Sequence, residues 1–464
     1  MPLPLSTKII YGTGDWSLSS FNTFRQIFYA IFLTEVVGLD PRIASLAAFT
    51  GFIWDAINDP LMGTLSDRVT TRWGRRRPFL LFGAVPFGLA FLALWWAPPW
   101  QSEWALAIHV TLAYVVADTL QTIVSVPFYA LTPELTPDYD ERTNLTTWRM
   151  LFNLLATLAV AVAAPEIVDW ALAHGHTPQQ GYLMVASLFG FLGVLPFLAI
   201  AAVVRERPDP PQHDLSIVDT LRGAWRNRPF RYLIGLYMLN WITFDLVASM
   251  IPFFVLWRVA GGDPLAKFDL FGTPLAMESA MLGMLLVVAI LALPAWAWVS
   301  ARVGKRGTYL VSMALFAAGL TALFFVQPGS LDTSVWLAAF LGLGASAAHV
   351  IPYAMIPDVV DVDELETMTR NEGIYYGASN LIRKAASAFV LAFALQVIGW
   401  TGYVPASELT EAGQPASALL AIRILTGPAG AALIVGAMIV AWFYPLTRTR
   451  HAEVRAALEA RRAG

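Results

Sequence analysis

The chain has 464 residues, of which 57% are hydrophobic and only 14% are charged. A soluble protein of this length would carry roughly a quarter charged residues, so the composition excludes an ordinary soluble globular fold. The net charge of −3 says little about partners beyond giving no reason to expect nucleic acid, and the absence of cysteine excludes disulfides and thiolate metal sites.

Apolar segments recur along the whole chain, and each is long enough for the roughly 20 residues that a membrane-spanning helix requires. We therefore predict an all-α membrane protein with twelve transmembrane helices. The predicted spans lie at residues 10–38, 42–65, 79–98, 103–132, 148–170, 181–204, 231–257, 276–300, 307–327, 333–357, 372–401 and 420–445. The first residues, MPLPLSTK, are too short and polar for a cleavable signal, so we expect the first span to serve as the insertion signal. The tryptophans near residue 100 are expected to lie in the interfacial aromatic belt, namely Trp95, Trp96, Trp100 and Trp104.

The distribution of positive charge predicts the orientation. Of the 30 Lys and Arg residues, three lie in predicted external loops, five lie in spans, and the rest fall in cytoplasmic segments. The positive-inside rule therefore places both termini in the cytoplasm of a multi-pass protein of the cell (inner) membrane. We expect the arginine run Arg75–Arg77 to pair with acidic residues in 138–146 and 358–366.

The longest polar interruption predicts the domain organisation. Residues 205–230 are expected to form a cytoplasmic linker between an N-terminal six-helix bundle, 1–204, and a C-terminal six-helix bundle, 231–445. The tail at 446–464 is basic and amphipathic, so we expect it to lie in the cytoplasm against anionic lipid.

The two predicted bundles share sequence. YALTPE at 129–134 matches YAMIPD at 353–358, and the loop SDRVTTRWGRRRP matches SARVGKRG. The matches are offset by about 224 and about 230 residues, so shared turn chemistry alone does not explain them and a tandem duplication does. Parallel six-helix repeats are the architecture of major facilitator transporters, which is the fold that we predict.

Two acids lie inside the second predicted span, in the stretch WDAINDP. Asp55 and Asp59 are four residues apart and share one helical face, where an ionised carboxylate costs roughly 2.5–3.5 kcal/mol at mid-bilayer. A bound cation or proton relieves both this cost and the mutual repulsion. Oxygen ligands, including the neighbouring Asn58 amide, suit Na⁺, whereas a raised pKa would suit H⁺. The alternative is an ion pair with Lys384 or Arg149.

Polar residues form stripes on the first and fourth spans, because they recur with helical spacing. The first stripe contains Asp15, Ser19, Asn22 and Gln26, and the second contains Asp118, Thr122, Ser125 and Tyr129. Such stripes favour an aqueous substrate cavity. The alternative is a set of hydrogen bonds between helices.

Arg25 lies in the first span, deeper than a snorkelling side chain reaches comfortably. It could bind an anionic substrate group bidentately, or it could pair with Glu35 or Asp245.

Several motifs resemble a known family. Gly63-x-x-x-Asp67-Arg68 followed by Gly74-Arg75-Arg76 looks like the loop signature of the major facilitator superfamily. WDAINDPLMG, RWGRRRPF, VPFYALTPELTPDYDERTNLTTWRM and PYAMIPDVVDVDE are similar to the glycoside–pentoside–hexuronide:cation symporters, the group that includes melibiose permease. The resemblance runs from LSTKIIYG near the start to RKAASAF in the eleventh span.

The resemblance implies roles for individual residues. The coupling-cation site would be the two acids of the second span, here Asp55 and Asp59, together with a hydroxyl of the fourth span that matches Thr122. Ser19 and Ser125 stand where melibiose permease has two sugar-binding acids, which is a departure from the family pattern. Further residues match family positions near the substrate or the cation, namely Arg149, Lys384 and, in place of a sugar-contacting aromatic, His349.

The predicted function is secondary active transport: symport of a sugar, glycoside or sugar acid with Na⁺ or H⁺, by alternating access and without a cofactor. The protein is expected to be a monomer. Two other possibilities are a sodium-dependent lysophospholipid transporter and a membrane sensor without flux, although a sensor would have little need of the Asp55–Asp59 pair. An enzyme is not expected, because no phosphate-binding glycine loop, HExxH or GxSxG motif occurs in a plausible context.

Overall fold

A computed structural model of the protein describes residues 3–69, 71–136, 139–206, 217–367, 372–405, 408–409 and 413–463. Nearly all of these residues are helical, as the apolar pattern predicts. The helices before the predicted linker are α1 (Leu5–Ile31), α2 (Pro41–Arg68), α3 (Arg77–Leu94), α4 (Glu103–Leu135), α5 (Tyr139–Ala173) and α6 (Pro178–Val203).

The remainder of the chain contains helices and one short β-hairpin. The hairpin pairs β1 with β2 in antiparallel register and turns through Phe271 and Gly272, both with positive φ. The elements are α7 (Ile217–Arg226), α8 (Arg228–Phe254), β1 (Lys267–Leu270), β2 (Thr273–Ala276), α9 (Met277–Val303), α10 (Lys305–Leu323), α11 (Leu331–Thr367), α12 (Glu372–Trp400), α13 (Ala416–Ile424), α14 (Gly430–Trp442) and α15 (Arg448–Ala463).

Nine helices among the described residues are long and apolar enough to cross a membrane, with α13, a π-helical turn and α14 forming one of the nine. Three more predicted spans, α1, α2 and α12, have 27, 28 and 29 residues and are therefore also long enough. Polar residues lower the hydropathy of these three helices. The all-α, multi-pass architecture predicted from the sequence is confirmed.

Local backbone geometry repeats along the chain in the same way as the sequence. α1 and α8 both end in a five-residue π-helical turn, Phe32–Val36 and Val255–Val259. Gly74 precedes α3 with φ 110° and Gly304 precedes α10 with φ 84°, a conformation that glycine adopts without strain. Each pair is separated by nearly the repeat offset seen in the sequence, so the duplication extends to backbone conformation.

The chain divides into two compact units. The first comprises Met1–Pro211, Asp263–Ala280 and Leu391–Ala418, and the second comprises the remaining residues. The predicted boundaries of the bundles at 204 and 231 stay a prediction, and residues 207–216 of the predicted linker lie outside the described residues. Within the first unit the hairpin is tied to α5, because Glu166 Oε1 accepts a 2.6 Å hydrogen bond from the Ala276 N–H.

An aromatic cluster fills part of the core of the first unit. Trp95 is fully buried, and its ring lies 3.9 Å from that of Phe24 and 5.5 Å from that of Tyr182. The expectation that Trp95 belongs to the interfacial belt is therefore wrong, because its side chain packs between α1 and α6 instead of facing lipid. Trp96, Trp100 and Trp104 are exposed, as a belt position requires.

The loop between α2 and α3 is held by residues at the end of α6 and in α4. The Glu206 carboxylate accepts hydrogen bonds from the backbone N–H groups of Arg75, Arg76 and Arg77, at 2.5, 2.8 and 2.7 Å. A carboxylate at this position satisfies the unpaired donors at the start of α3 and complements its dipole. Arg75 Nη2 also donates to Glu134 at 2.6 Å. These described partners differ from the acidic segments that we predicted for the arginine run.

The acids of the second of those segments have partners within the second unit. Lys305 lies 2.7 Å from Asp358, and His451 Nε2 lies 3.0 Å from Asp361. His451 belongs to α15, whose apolar side chains Val454 and Leu458 are buried. The tail helix therefore packs its apolar face on protein, in contrast to the predicted position on lipid.

Candidate functional site

The structure brings together α2 and α4 at the predicted cation site. Asp55 and Asp59 are both half-buried on α2, and Thr122 Oγ1 donates a 3.1 Å hydrogen bond to Asp59 Oδ1. Both side chains are thus partly exposed, and that of Asp59 is oriented by a buried hydroxyl. This contact joins two of the three residues that the family resemblance groups together, and Asp55 lies one helical turn before Asp59 on α2.

A buried amide adjoins the acidic pair. Asn58 is 7% exposed, and its Nδ2 has no hydrogen-bond partner among the described residues. The α2–α4 packing is fixed one helical turn away, where Trp54 Nε1 donates to Thr119 Oγ1 at 2.8 Å. The packing of α2 on α4 therefore holds Asn58 in place, while its Nδ2 donor has no described hydrogen-bond acceptor.

Arg25 contacts the fourth helix. Its Nη1 lies 3.5 Å from Asp118 Oδ1, and its guanidinium lies over the rings of Phe21 and Tyr114, at 5.2 and 5.0 Å. Asp118 is thus the described ion-pair partner of Arg25, and not Glu35, which accepts a hydrogen bond from Tyr403. The pairing with Asp245, a residue of the second unit, stays a prediction. Arg25 points towards α4 and thus adds positive charge close to the acidic residues.

Other members of the polar stripes connect helices. Asn22 Oδ1 accepts a 2.9 Å hydrogen bond from Gln121, and Ser19 accepts one from Asn153 of α5. Such contacts are the interhelical hydrogen bonds that were the alternative to an open cavity. For Ser19 and Asn22 the structure therefore shows a packing contact within the first unit.

A second arginine–aspartate pair connects α1 to α5. Arg149 Nε lies 2.5 Å from Asp15 Oδ2, and Asp15 is 2% exposed. The guanidinium also lies 5.2 and 4.7 Å from the ring centroids of Phe128 and Tyr129. Arg149 therefore pairs with Asp15 of α1 instead of with an acid of α2. One of the two ion pairs that we considered as an alternative role for the α2 acids is thus not found among the described residues.

Ser125 is buried on α4, whereas the side chain of Tyr129 is 44% exposed and therefore accessible from outside the protein core. The predicted roles of His349 and Lys384 concern side chains that lie outside the described residues.

Two residues of this region were missed by the sequence analysis. Gln121 follows Asp118 by three residues and Asn153 follows Arg149 by four, so each shares a helical face with a residue that was recognised. Extending the helical-spacing test from α1 and α4 to α5 would have found Asn153.

The four aspartates of the site differ in their described partners. Asp118 lies against Arg25 and Asp15 lies against Arg149, whereas the described hydrogen bond to Asp59 comes from the Thr122 hydroxyl. Both arginines therefore pair with acids of α1 and α4, and neither of these two ion pairs involves the acids of α2.

A family described as MFS/sugar transport protein matches residues 10–448, and the chain belongs to this family. The family consists of major facilitator transporters, so the protein is a multi-pass membrane transporter and not an enzyme.

Characterised and uncharacterised relatives are symporters or transporters. The chain is 29% identical to an uncharacterized symporter of Synechocystis, over 99% of this chain and 97% of the relative. It is 26% identical to the isoprimeverose transporter of Lactiplantibacillus pentosus, over 91% and 85%. It is 24% identical to sodium-dependent lysophosphatidylcholine symporter 1-A of Danio rerio, over 97% and 87%.

Solved structures show the same fold. A bacterial homologue of the human drug peptide transporters PepT1 and PepT2 superimposes with a TM-score of 0.67 at 14% identity, covering 96% of this chain and 99% of that chain. At this identity the likeness supports the major facilitator fold alone.

Proposed function

We propose that the protein couples the movement of Na⁺ to the symport of a sugar, a glycoside or a sugar acid across the cell (inner) membrane, with both termini in the cytoplasm. The observation that carries the proposal is the pair Asp55 and Asp59 on one face of α2, with Thr122 hydrogen-bonded to Asp59. Acids inside a membrane-spanning helix are costly to insert and commonly mark ion pathways, which favours a cation site at this pair.

The cation would be held by oxygen atoms of α2 and α4. The carboxylates of Asp55 and Asp59 provide charge, and the Thr122 hydroxyl and the Asn58 amide provide neutral ligands, a set that suits a hard cation. Asn58 is the reason for preferring Na⁺ to H⁺, because a proton needs no neutral ligand. The ligand would be the Oδ1 atom of Asn58, since its Nδ2 group is a hydrogen-bond donor.

The cation would also determine when the transporter moves. With both carboxylates ionised, the α2 pair repels itself and is costly to enclose in a medium of low dielectric constant. A bound cation lowers this cost, so substrate-binding states that enclose the pair are favoured once the cation is present. By linkage, substrate then raises the affinity for the cation by the same factor.

The charge of the region supports a neutral sugar as the preferred substrate. Arg25 and Arg149 each contact an aspartate, so their positive charge is already compensated. The exposed ring of Tyr129 offers an aromatic surface, and sugars present an apolar face as well as hydroxyl groups. The likeness to the isoprimeverose transporter is consistent with this substrate class.

The test is uptake into proteoliposomes that contain the purified full-length chain. We expect a neutral glycoside to accumulate when a Na⁺ gradient is imposed, and we expect uronates and sulfonated sugars to compete poorly. Accumulation that ignores Na⁺ but collapses as the external pH rises would replace Na⁺ by H⁺. Competition by uronates but not by neutral glycosides would assign Arg25 to an anionic substrate instead.

A lysophospholipid is the second candidate substrate, because the relative from Danio rerio is a sodium-dependent lysophosphatidylcholine symporter. The same proteoliposomes distinguish it. Sodium-dependent movement of lysophosphatidylcholine, without uptake of any sugar in the panel, would establish the lipid function and exclude the sugar proposal.

A further inference from the structure

A basic surface lies at the junction of α7 and α8, away from the site described above. The sequence LRGAWRNRPFRY, residues 221–232, contains four arginines and no acidic residue. Arg226, Arg228 and Arg231 are exposed, and none has an ion-pair partner among the described residues. Like charges this close repel one another, so the surface would be stabilised by an anion.

The junction is fixed to the second unit by a buried residue of its own. The Asn227 side chain accepts a hydrogen bond from the Phe230 N–H at 3.2 Å and donates to the Val359 carbonyl at 3.1 Å and to the Tyr375 hydroxyl at 3.2 Å. Ala224 and Phe230 are buried on the same side. The arginines between these residues are therefore presented on a rigid backbone, which lowers the entropic cost of binding.

Two cavities that are shallow and open to the surface lie beside the arginines. One of about 550 Å³ is lined by Arg222, Trp225, Arg226 and Ile382. The other, of about 460 Å³, is lined by Arg228, Arg231, Tyr232, Gly235 and Val440. Volumes of this size accommodate a small polar group, and each cavity combines guanidinium groups with aromatic and aliphatic surface.

The position of the surface along the chain indicates where its ligand comes from. Arg228 begins a helix that is long and apolar enough to cross a membrane, so α7 and the first turn of α8 lie at the membrane interface. Trp225 is 57% exposed, and tryptophan is enriched at that level. A basic pocket between helices at the cytoplasmic interface is the kind of site that binds an anionic lipid headgroup.

We propose that the surface formed by Arg222, Trp225, Arg226, Arg228, Arg231 and Tyr232, the α7–α8 surface, binds the phosphate headgroup of an anionic phospholipid. The guanidinium groups contact the phosphate oxygens in bidentate fashion, and Trp225 and Tyr232 contact the glycerol and the upper acyl chain. A topology signal alone requires only positive charge. It requires neither the rigid junction nor the two cavities.

The first test compares lipids on the purified full-length protein in detergent, with thermal unfolding followed by intrinsic tryptophan fluorescence. Dioleoylphosphatidylglycerol should raise the midpoint by about 3–5 °C, as expected for a ligand well above its dissociation constant. Dioleoylphosphatidylcholine should have much less effect. Glycerol 3-phosphate, the soluble headgroup alone, should also have little effect, and an equal shift with it would overturn the assignment to a lipid.

The second test removes the arginines. The triple variant Arg226→Gln, Arg228→Gln, Arg231→Gln should lose more than half of the shift caused by phosphatidylglycerol. The matched control is Arg448→Gln, Arg450→Gln, Arg455→Gln on α15, which removes the same charge from arginines that have partners in the structure. If both triple variants lose the shift equally, binding follows net charge and the proposed site is wrong.

A third variant controls for the possibility that the triple glutamine variant loses lipid binding because it inserts into the membrane in the wrong orientation. Replacing the same three arginines by lysine keeps the positive charge that orients the chain but removes the bidentate geometry. We expect normal insertion and a reduced lipid shift. A shift equal to that of the wild-type protein would show that the guanidinium geometry contributes nothing and would overturn the proposed mode of binding.

Discussion

The four aspartates of the candidate site differ in burial and in the charge of their described partners. Asp15 and Asp118 are 2% and 3% exposed, and each lies against an arginine. Asp55 and Asp59 are half-buried, and the described hydrogen bond to Asp59 comes from a neutral hydroxyl.

The difference separates two uses of the same side chain. A buried carboxylate with a fixed guanidinium partner is compensated permanently, and removing its partner leaves an uncompensated charge. A half-buried carboxylate can exchange a mobile ion with solvent. We therefore expect the buried acids, Asp15 and Asp118, to determine stability, and the half-buried acids of α2 to determine transport.

The largest effect should follow replacement of the α2 acids. Asp59→Asn and Asp55→Asn should each abolish sodium-driven accumulation, because a cation ligand and a negative charge are lost, while expression and the unfolding midpoint stay near those of the wild type. Proteoliposome uptake and thermal unfolding measure the two quantities separately. Persistent concentrative uptake by Asp59→Asn would show that this pair is not the coupling site.

The complementary variant is Asp15→Asn, which leaves Arg149 buried without a charged partner. We expect the protein to be destabilised by about 3–5 kcal/mol, the usual cost of breaking a buried ion pair. The double variant Asp15→Leu, Arg149→Met should recover much of this loss, because neither charge then remains. Unfolding in urea, followed by tryptophan fluorescence, provides the comparison. An Asp15→Asn protein as stable as the wild type would contradict the structural role of this pair.

The smallest effect should come from the hydroxyl beside the cation site. Thr122→Val keeps the shape of the side chain but removes its hydrogen bond to Asp59, which is worth about 1 kcal/mol or roughly a fivefold loss in sodium affinity. The sodium concentration that gives half-maximal uptake measures this change. The matched control is Thr119→Val, which removes a hydroxyl that accepts from Trp54 instead. If both valine variants shift the sodium dependence equally, Thr122 acts through packing and not as a ligand.

Apolar length predicted the helices, helical spacing predicted that Asp55 and Asp59 share a face, and the family resemblance implied that Thr122 lies beside them. The sequence did not predict which acid would meet Arg25. That choice depends on how α1 and α4 are rotated and how far apart they lie, and spacing along one helix contains no such information. The same reason explains Trp95, whose position near a loop suggested the interface while its packing against Phe24 and Tyr182 buried it.

The contact between Glu206 and the start of α3 sets an order for biosynthesis. Glu206 Oε1 binds the N–H of a residue that precedes it by 130 positions in the chain. At about 5–20 residues per second, a ribosome needs roughly 6–26 s to cover that distance. During this interval α3 must enter the membrane while the backbone N–H groups of its first turn donate hydrogen bonds to water or to lipid headgroups. A chain stalled before residue 206 would therefore keep the α2–α3 loop open to proteases until synthesis resumed.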